Sequence, residues 1–500
     1  MGDQNTPLSA ADAAHLLRRT GFGAPAVQVD KFTGMTRGDA ADKLLAFSPS
    51  KFKPRGRTID EVRDRWIKYM IGYRHAIQEK LVVFWHDHFA TGYTKVQNSA
   101  LMGNQNGLLR KFCTGNLKDF VKAINKDAAM MEFLDTVRNE KQQPNENYAR
   151  ELQELFTLGV TDYNGHANYT QSDIVQIARA FTGWSYDDKG VAAFNSDAHD
   201  FMQDWPARGT KVIYKTTGGF GAGGADYTQP AGEGAPEIDQ VIDIIFAHAD
   251  SDGHKTVARY IAGKLFTYLA QPNPKRPPQP ALKTVVDELV SASSFDTTWE
   301  IAPLVRAIVV NDAFYATEAQ APFQSTDVKS VKWPFDYAIT TLRLLNMKLK
   351  SRDQRVNFSS GTPLHTYLAN MGQVLFDPPS VFGWDWETAW ISSSTLLARY
   401  SFATALIEAR GSGGTAFRPE KLAPIKALMS AGPATTGVIV DAVSGILGVT
   451  DQLASAERDA LVTYLGGPAM TLDLNDPKVR NTKLNGVFAL LLESPAYQLH

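Results

Sequence analysis

The sequence contains little of three things that mark common protein classes. Among its 500 residues there is one cysteine, Cys113, which excludes an internal disulfide and a cysteine-based zinc site. No apolar run reaches the roughly 18 residues needed to cross a bilayer. The 51 basic and 53 acidic residues nearly cancel, to a formal net charge of −2. We therefore expect neither a nucleic-acid partner nor a transmembrane segment, because bulk charge and hydropathy favour neither.

What is present is typical of a globular helical protein. Hydrophobic residues make up 44% and charged residues 21%, which is ordinary usage for a packed core. The apolar neighbours of Cys113 in KFCTGNL favour a buried thiol. Strand alternation is scarce, with 211–216 a short candidate. We predict a mainly α fold, a large multi-helix assembly around a single core with long irregular loops and little β structure.

Helix boundaries are marked by capping patterns. Ser9 with Asp12, and Thr170 with Asp173, have the spacing of a capping box ahead of apolar residues at helical intervals. Further helical patterns cover 59–89 (one or two helices), 237–249, 255–270, 281–293, 330–348 and 391–409. Glycine- or proline-rich loops are predicted at 218–234, 271–280 and 411–414. The last would join a main domain, 1–410, to a C-terminal helical extension, 411–500, whose packing on the main domain is left open.

The most informative segment is NENYARELQELFTLGV at 145–160. On a helix, one side carries an amide, a guanidinium and two carboxylates, those of Asn147, Arg150, Glu151 and Glu154. A solvated face with a weak Glu146–Arg150 pair explains the pattern, and periodicity alone favours it. In a pocket wall, a carboxylate would serve as general acid or base or bind a hard cation, and Arg150 would bind an anionic group.

A second segment, FWHDHFATG at 84–92, carries His86 and His88. On a helix the two imidazoles point about 200° apart and cannot share a metal ion, whereas in an extended chain they face the same way. The aromatic neighbours favour buried, hydrogen-bonded histidines. An acid–base or ligand role is the alternative.

A third segment, PPSVFGWDWETAWISSSTLLAR at 378–399, holds three of the nine tryptophans, Trp384, Trp386 and Trp390, with Asp385 among them. Indole rings beside carboxylates suit sugar rings, because an apolar face stacks while hydroxyls find acceptors. A tryptophan-anchored loop followed by a serine helix cap is the other interpretation.

Together with HLLRRTGFG (15–23), YTQSDIVQIARAFTGW (169–184) and ARYIAGKLF (258–266), these segments resemble the bacterial domain-of-unknown-function family 1800. The resemblance covers roughly 8–410 and rests above all on NENYAREL. It implies an exported protein, often encoded beside an uncharacterised, sulfatase-like partner, and carries no established activity. The sequence departs from the family pattern at Thr136 and Ser392, where asparagine is usual, and at Glu387, in a stretch that is often glycine-rich.

Two classes of function follow from the residues and the resemblance. The first is a periplasmic or secreted hydrolase acting on a glycan or another envelope or environmental polymer. Glu151, Glu154, His86 and His88 would be catalytic, and Asn147, Arg150, Trp384, Asp385, Trp386 and Trp390 would bind substrate. Asp135, Asp173 or Asp385 is an alternative second carboxylate, and assistance by a divalent cation stays open.

The second class is a non-catalytic binding or assembly protein that works with a genomically neighbouring partner. Its polar stripes would form a buried network that specifies helix packing. An enzyme should gather the named side chains around one open concavity, whereas a scaffold can have them buried and mutually paired. The printed sequence begins with no signal peptide, so a cytosolic protein and a trimmed export signal are both compatible with it.

Overall fold

Helices dominate the computed structural model, which describes residues 2–201, 209–214, 225–226, 234–270, 282–316, 330–347, 358, 361–409 and 416–500. The mainly α prediction is confirmed. The first α-helices are α1 Ala10–Thr20, α2 Ala26–Phe32, α3 Arg37–Leu45, α4 Ile59–Gly72, α5 Ala76–His88, α6 Tyr93–Val96, α7 Ser99–Phe112, α8 Leu117–Asn125, α9 Ala128–Phe133, α10 Asn147–Glu151 and α11 Gln171–Ala180.

The later α-helices are α12 Glu237–Ala247, α13 Thr256–Leu269, α14 Lys283–Ser293, α15 Phe295–Thr298, α16 Ile301–Val310, α17 Pro334–Leu344, α18 Leu364–Asn370, α19 Ser393–Ile407, α20 Ala423–Ala431, α21 Thr436–Leu447, α22 Ser455–Leu465, α23 Pro477–Val479, α24 Asn485–Glu493 and α25 Pro495–Gln498. Two π-helical turns span Leu152–Thr157 and Arg480–Leu484, and short 3-10 turns include Thr136–Arg138 and Glu387–Trp390.

Strands occur only as short antiparallel pairs in the described parts of the chain. β1 Trp184–Tyr186 pairs with β2 Ala192–Phe194, β3 Val212–Ile213 with β4 Ala225–Asp226, and β5 Ala434–Thr435 with β6 Thr471–Leu472. The candidate strand at 211–216 contains β3, and its last two residues lie outside the described residues.

Local sequence signals place several of the helices. Ser9 and Thr170 each accept a hydrogen bond from the backbone three residues on, and the aspartate there returns one, so both predicted capping boxes form. The long pattern at 59–89 resolves into α4 and α5. The predicted loops at 271–280 and 411–414 lie outside the described residues, as does 218–234 except for β4 and Gly234.

Two helices are buried on every side and form the centre of the core. From Ile77 to His88 every residue of α5 is buried, and so is every residue of α13. A helix covered all round lies inside a packed domain. Tyr268 of α13 donates to the Lys80 carbonyl of α5 over 3.0 Å, and Lys80 donates to Asp336 of α17 over 2.7 Å. Polar groups on these helices must therefore be paired by the neighbouring helices.

The C-terminal helices pack directly on this core. The Tyr337 ring of α17 lies 5.7 Å from that of Tyr497 in α25, and Arg399 of α19 donates to Gln498 over 3.0 Å. The division at residues 410 and 411 stays a prediction. No helix within the described ranges is both long and apolar enough to span a membrane.

Candidate functional site

The segment with the densest polar pattern folds as α10 followed by a π-helical turn. The Leu158 N–H donates to the Gln153 carbonyl over 3.0 Å, five residues back, and the Thr157 hydroxyl donates to the Leu152 carbonyl. This wider turn leaves backbone carbonyls that can accept hydrogen bonds from other helices. Tyr260 of α13 donates to the Leu155 carbonyl over 3.2 Å. Single π-turns within α-helices are frequent at functional sites.

Two half-buried carboxyl groups, those of Glu151 and Glu154, lie one turn apart on this segment. Burial and the negative charge of Glu154 raise the pKa of Glu151 to about 7, against the opposing charge of Arg150. The Tyr169 hydroxyl donates to Glu154 Oε2 over 2.9 Å. Glu154 therefore has a hydrogen-bond donor of its own, and the carboxyl group of raised pKa, Glu151, lies beside it.

The guanidinium of Arg150 is held at the rim of this pair. Its Nη2 donates to Glu146 over 3.2 Å and to the Gln171 side-chain oxygen over 2.9 Å, and Gln171 in turn donates to Glu146 over 2.7 Å. The predicted Glu146–Arg150 pair therefore forms as part of a closed three-residue set. Arg150 stays partly exposed, so its remaining donors can meet an anionic group.

Asn147 belongs to a different cluster from Glu151. Its side-chain amide donates to Asp135 Oδ2 over 3.2 Å, and Asp135 also pairs with Lys95 and Arg138, each over 2.6 Å. Although burial opposes them, these cations lower the pKa of Asp135. The predicted stripe is thus divided between two polar groups.

The other two carboxylates considered as partners lie elsewhere. Asp173 is buried, caps α11 and accepts a hydrogen bond from the Tyr214 N–H over 2.6 Å. Asp385 is exposed on the tryptophan loop. The structure therefore pairs Glu151 with Glu154 alone among the candidates named from the sequence.

His86 and His88 leave α5 in opposite directions, as the helical interpretation predicts, and are only 1% and 2% exposed. His86 Nε2 accepts the Phe376 N–H over 3.1 Å, and burial lowers the pKa of His86 to about 3. His88 Nε2 lies 3.1 Å from the Phe156 carbonyl and its Nδ1 lies 2.8 Å from Lys264 Nζ.

The hydrogen-bond partners of His88 indicate which of its ring nitrogens carries a hydrogen. A carbonyl oxygen only accepts, so His88 Nε2 carries a hydrogen, and an ammonium only donates, so Nδ1 accepts from Lys264. His88 thereby links α13 to the π-helical turn through the Phe156 carbonyl. This contact brings the second sequence segment against the first, by a backbone carbonyl rather than through a shared cavity.

The tryptophan loop is packed into the interior. Trp384, Trp386 and Trp390 are 1%, 8% and 3% exposed and surround Trp333, with ring centroids 6.4, 5.8 and 5.5 Å from it. Asp87 fixes the loop, because its carboxylate accepts the Trp384 N–H over 2.6 Å and the Trp386 indole N–H over 3.2 Å. Their faces are covered by protein, so stacking on a sugar would require the loop to open.

Of the three positions that depart from the family pattern, Ser392 and Glu387 have side-chain partners, whereas the buried Thr136 hydroxyl has no hydrogen-bond partner among the described residues. Ser392 caps α19 in a box with Thr395, which is the serine cap of the alternative interpretation. Glu387 accepts from the Ser330 hydroxyl over 3.1 Å, and Thr136 is buried at the start of a 3-10 turn.

A divalent cation finds no ready ligand set in the part of the chain that the structure describes. Within it, no group of three or more histidine, cysteine, aspartate or glutamate side chains is arranged to hold a metal ion. Glu151 and Glu154 would supply two carboxylate side chains, each able to bind through one or both oxygens, and the histidines are hydrogen-bonded elsewhere. Proton transfer is the chemistry that this pair supports directly.

A family model described as "Protein of unknown function (DUF1800)" matches residues 15–499. The chain belongs to the DUF1800 family. The match extends well beyond residue 410 and includes α20 to α24, which the resembling segments do not reach. No curated protein and no solved structure matches the chain.

Sequence reasoning missed several residues that complete this DUF1800 site. Tyr169 and Gln171 lie in the segment YTQSD, where only the capping pattern was interpreted. Asp87 stands between the two histidines and binds the tryptophan loop. Lys264, within ARYIAGKLF, lies 2.8 Å from His88 Nδ1 through its Nζ atom. All four residues contact segments that are distant in the sequence, and the periodicity within one segment does not indicate such contacts.

Proposed function

We propose that this DUF1800 protein is a hydrolase in which Glu151 transfers a proton. The observation that carries the proposal is a half-buried carboxyl group whose pKa lies at about 7, next to a second carboxylate on a π-helical turn. A general acid or base works best when its pKa is close to the working pH. Glu154, which accepts the Tyr169 hydroxyl, would stabilise developing positive charge or activate water.

Arg150 supports a substrate with an anionic substituent. Its guanidinium lies one residue from Glu151, is partly exposed, and keeps donors beyond those used by Glu146 and Gln171. The proposed substrate is a glycan or another polymer of the cell envelope or the environment, and the proposed location is periplasmic or secreted. Both rest on the resemblance to an exported bacterial family. The buried tryptophans supply no support for the glycan.

The test is a screen of glycans and model esters with wild-type protein and three variants. Glu151→Gln should lower kcat by about 100-fold or more, because a general acid or base contributes that much. Glu154→Gln should lower kcat and move the pH dependence, since it removes the charge that raises the pKa of Glu151. Glu140→Gln, an exposed glutamate outside the pair, is the matched control and should behave as wild type.

The pH dependence separates the two roles of Glu151. Acting as the acid, it would give a rate that falls as pH rises through about 7, and acting as the base, a rate that falls as pH drops through the same value. Wild-type turnover by Glu151→Gln on every hydrolysed substrate would remove Glu151 from the mechanism.

A non-catalytic assembly protein is the second candidate, and one observation favours it. The two histidines, His86 and His88, and the three tryptophans of the loop are buried. His86 accepts the Phe376 N–H and His88 contacts Lys264, which is the arrangement expected of a network that specifies packing. This candidate predicts no turnover on any substrate and a stoichiometric complex with the genomically neighbouring partner. Such a complex should elute intact in size-exclusion chromatography with both wild type and Glu151→Gln.

A further inference from the structure

A cavity of about 360 Å³ is lined by residues from 17–77 and 343–344, which do not include the glutamate pair, and it plays no part in the proposed hydrolysis. Its walls come from the end of α1, the following turn, α2, α3, the start of α5 and the end of α17. The volume falls within the about 300–1,000 Å³ of typical small-molecule sites. The turn belongs to the segment HLLRRTGFG, for which the glutamate site gives no role.

The turn is shaped to form this wall. Gly23 has φ +87°, in the left-handed region that favours glycine, and a Cβ there would lie 2.8 Å from Thr340 Cγ2 of α17. Any larger residue would push the turn away from α17. The close approach places the Phe22 ring against the cavity.

The charged side chains that line the cavity are all cationic. Lys43, Arg74 and Arg343 line it, and no aspartate or glutamate does. None of the three forms an ion pair with any described residue. Arg343 uses Nη1 to donate to the carbonyls of Met70, Ile71 and Tyr73, over 2.9, 3.1 and 2.8 Å.

Arg343 thereby keeps donors for another acceptor. Its Nη2 and Nε make no hydrogen bond to the described residues, and burial without an acidic partner lowers its pKa. An anion at this point would satisfy both the charge and the remaining donors. Lys43 and Arg74 are exposed, which puts two further cations at the mouth.

The cavity also has apolar lining, and two of the cations lie beside it, with Lys43 Nζ 4.8 Å from the Phe32 ring centre and the Arg343 guanidinium 5.7 Å from that of Phe22. Leu17, Phe22 and Phe32 line it and are buried in the protein, while Leu44 and Leu344 complete the wall. A site with an apolar wall and several cations, without an acid, is selective for a molecule with both characters. A small inorganic anion would leave the wall unused, and a neutral apolar molecule would leave the cations unpaired.

We propose that this cavity binds a small organic anion with an apolar body, whose carboxylate or similar group meets Lys43, Arg74 and Arg343 while its chain packs on Phe22 and Phe32. The site is separate from Glu151, so its occupancy is independent of the hydrolytic activity proposed above. The size of the cavity suits a molecule such as a medium-chain carboxylate rather than a polymer.

Isothermal titration of the full chain with octanoate tests the proposal, with octanol and acetate as probes that lack the charge or the chain. Octanoate should bind more tightly than either, and its affinity should fall as ionic strength rises, because exposed cations are screened by salt. The variant Lys43→Gln/Arg74→Gln should weaken octanoate binding about tenfold. Both side chains are exposed, so the fold should be unaffected.

Lys31→Gln is the matched control, since Lys31 is an exposed cation of α2 that does not line the cavity, and it should bind octanoate as wild type does. Equal affinity for octanoate and octanol would overturn the proposal. So would equal octanoate affinity in wild type and the double variant, or a crystal structure with octanoate bound elsewhere. Hydrolysis and its loss in Glu151→Gln are unaffected by any of these results.

Discussion

Replacing Glu151 by glutamine should change how the stability of the protein depends on pH. A carboxyl group whose pKa is raised on folding binds its proton more tightly in the folded state than in the unfolded state. Its contribution to stability is therefore largest at low pH and is lost as pH rises from its ordinary value of 4.5 to about 7. Above pH 7 the folded protein bears the full cost of ionising Glu151 beside Glu154.

The magnitude follows from the size of the pKa change. Each tenfold change in proton affinity corresponds to 1.36 kcal/mol, which gives about 3 kcal/mol for a fully buried group. Glu151 is only half-buried, so solvent screening reduces this to about 1–2 kcal/mol. An unfolding entropy of about 2.1 cal/mol/K per residue amounts to about 1 kcal/mol/K for this chain. The expected change in Tm is thus about 1–2 °C.

The assay is thermal unfolding of wild type, Glu151→Gln and the exposed control Glu140→Gln at pH 5 and pH 8. Glutamine cannot ionise, so the Tm of Glu151→Gln relative to wild type should rise by about 1–2 °C between the two pH values. The Glu140→Gln difference should be the same at both. A constant difference for Glu151→Gln would show that Glu151 is ionised throughout, and the acid–base argument would fail with it.

Two further substitutions test the packing of the core and of the tryptophan loop. Arg110→Met should lower the free energy of unfolding by about 3–5 kcal/mol and Tm by several degrees, because it leaves the fully buried Glu79, 2.8 Å from Arg110, without its cation. Adding Glu79→Gln should recover much of the lost stability. Equal Tm values for the single and double variants would contradict this. Gly383→Ala should lower Tm and expose the nearby indoles to a fluorescence quencher, because Gly383 has φ +82° and a Cβ there would overlap the Asp87 carboxylate. Unchanged quenching would refute the role given to Asp87.

Local signals in the sequence were enough to place some of the helices but not to predict their surroundings. Ser9 and Thr170 determine helix starts through hydrogen bonds within four residues, so a pattern in one segment is sufficient. The tryptophan loop carries no such signal. Its indoles are covered by Trp333, which lies more than 50 residues away, and nothing in the segment itself distinguishes a covered ring from an exposed one.

The candidate site was predictable only in part, because some of its features are local to one segment and others depend on tertiary contacts. Glu151 and Glu154 share a helix face whatever the tertiary structure, and the sequence identified them. The raised pKa of Glu151 depends on how much of the face is buried, which only the packed structure determines. The π-helical turn was not predicted either, since its carbonyls are stabilised by Tyr260 and His88 from other helices.

These contacts connect the two candidate functions physically. The contacts that hold His88 between Lys264 and the Phe156 carbonyl occupy both of its ring nitrogens. The same hydrogen bonds support the turn that carries Glu154. Through these contacts His88 supports the backbone of the turn, and a buried network of the kind expected in a scaffold is also what a half-buried acid–base pair requires to keep its geometry. Burial of the histidines thus weighs against their direct role in hydrolysis without weighing against hydrolysis by the glutamates.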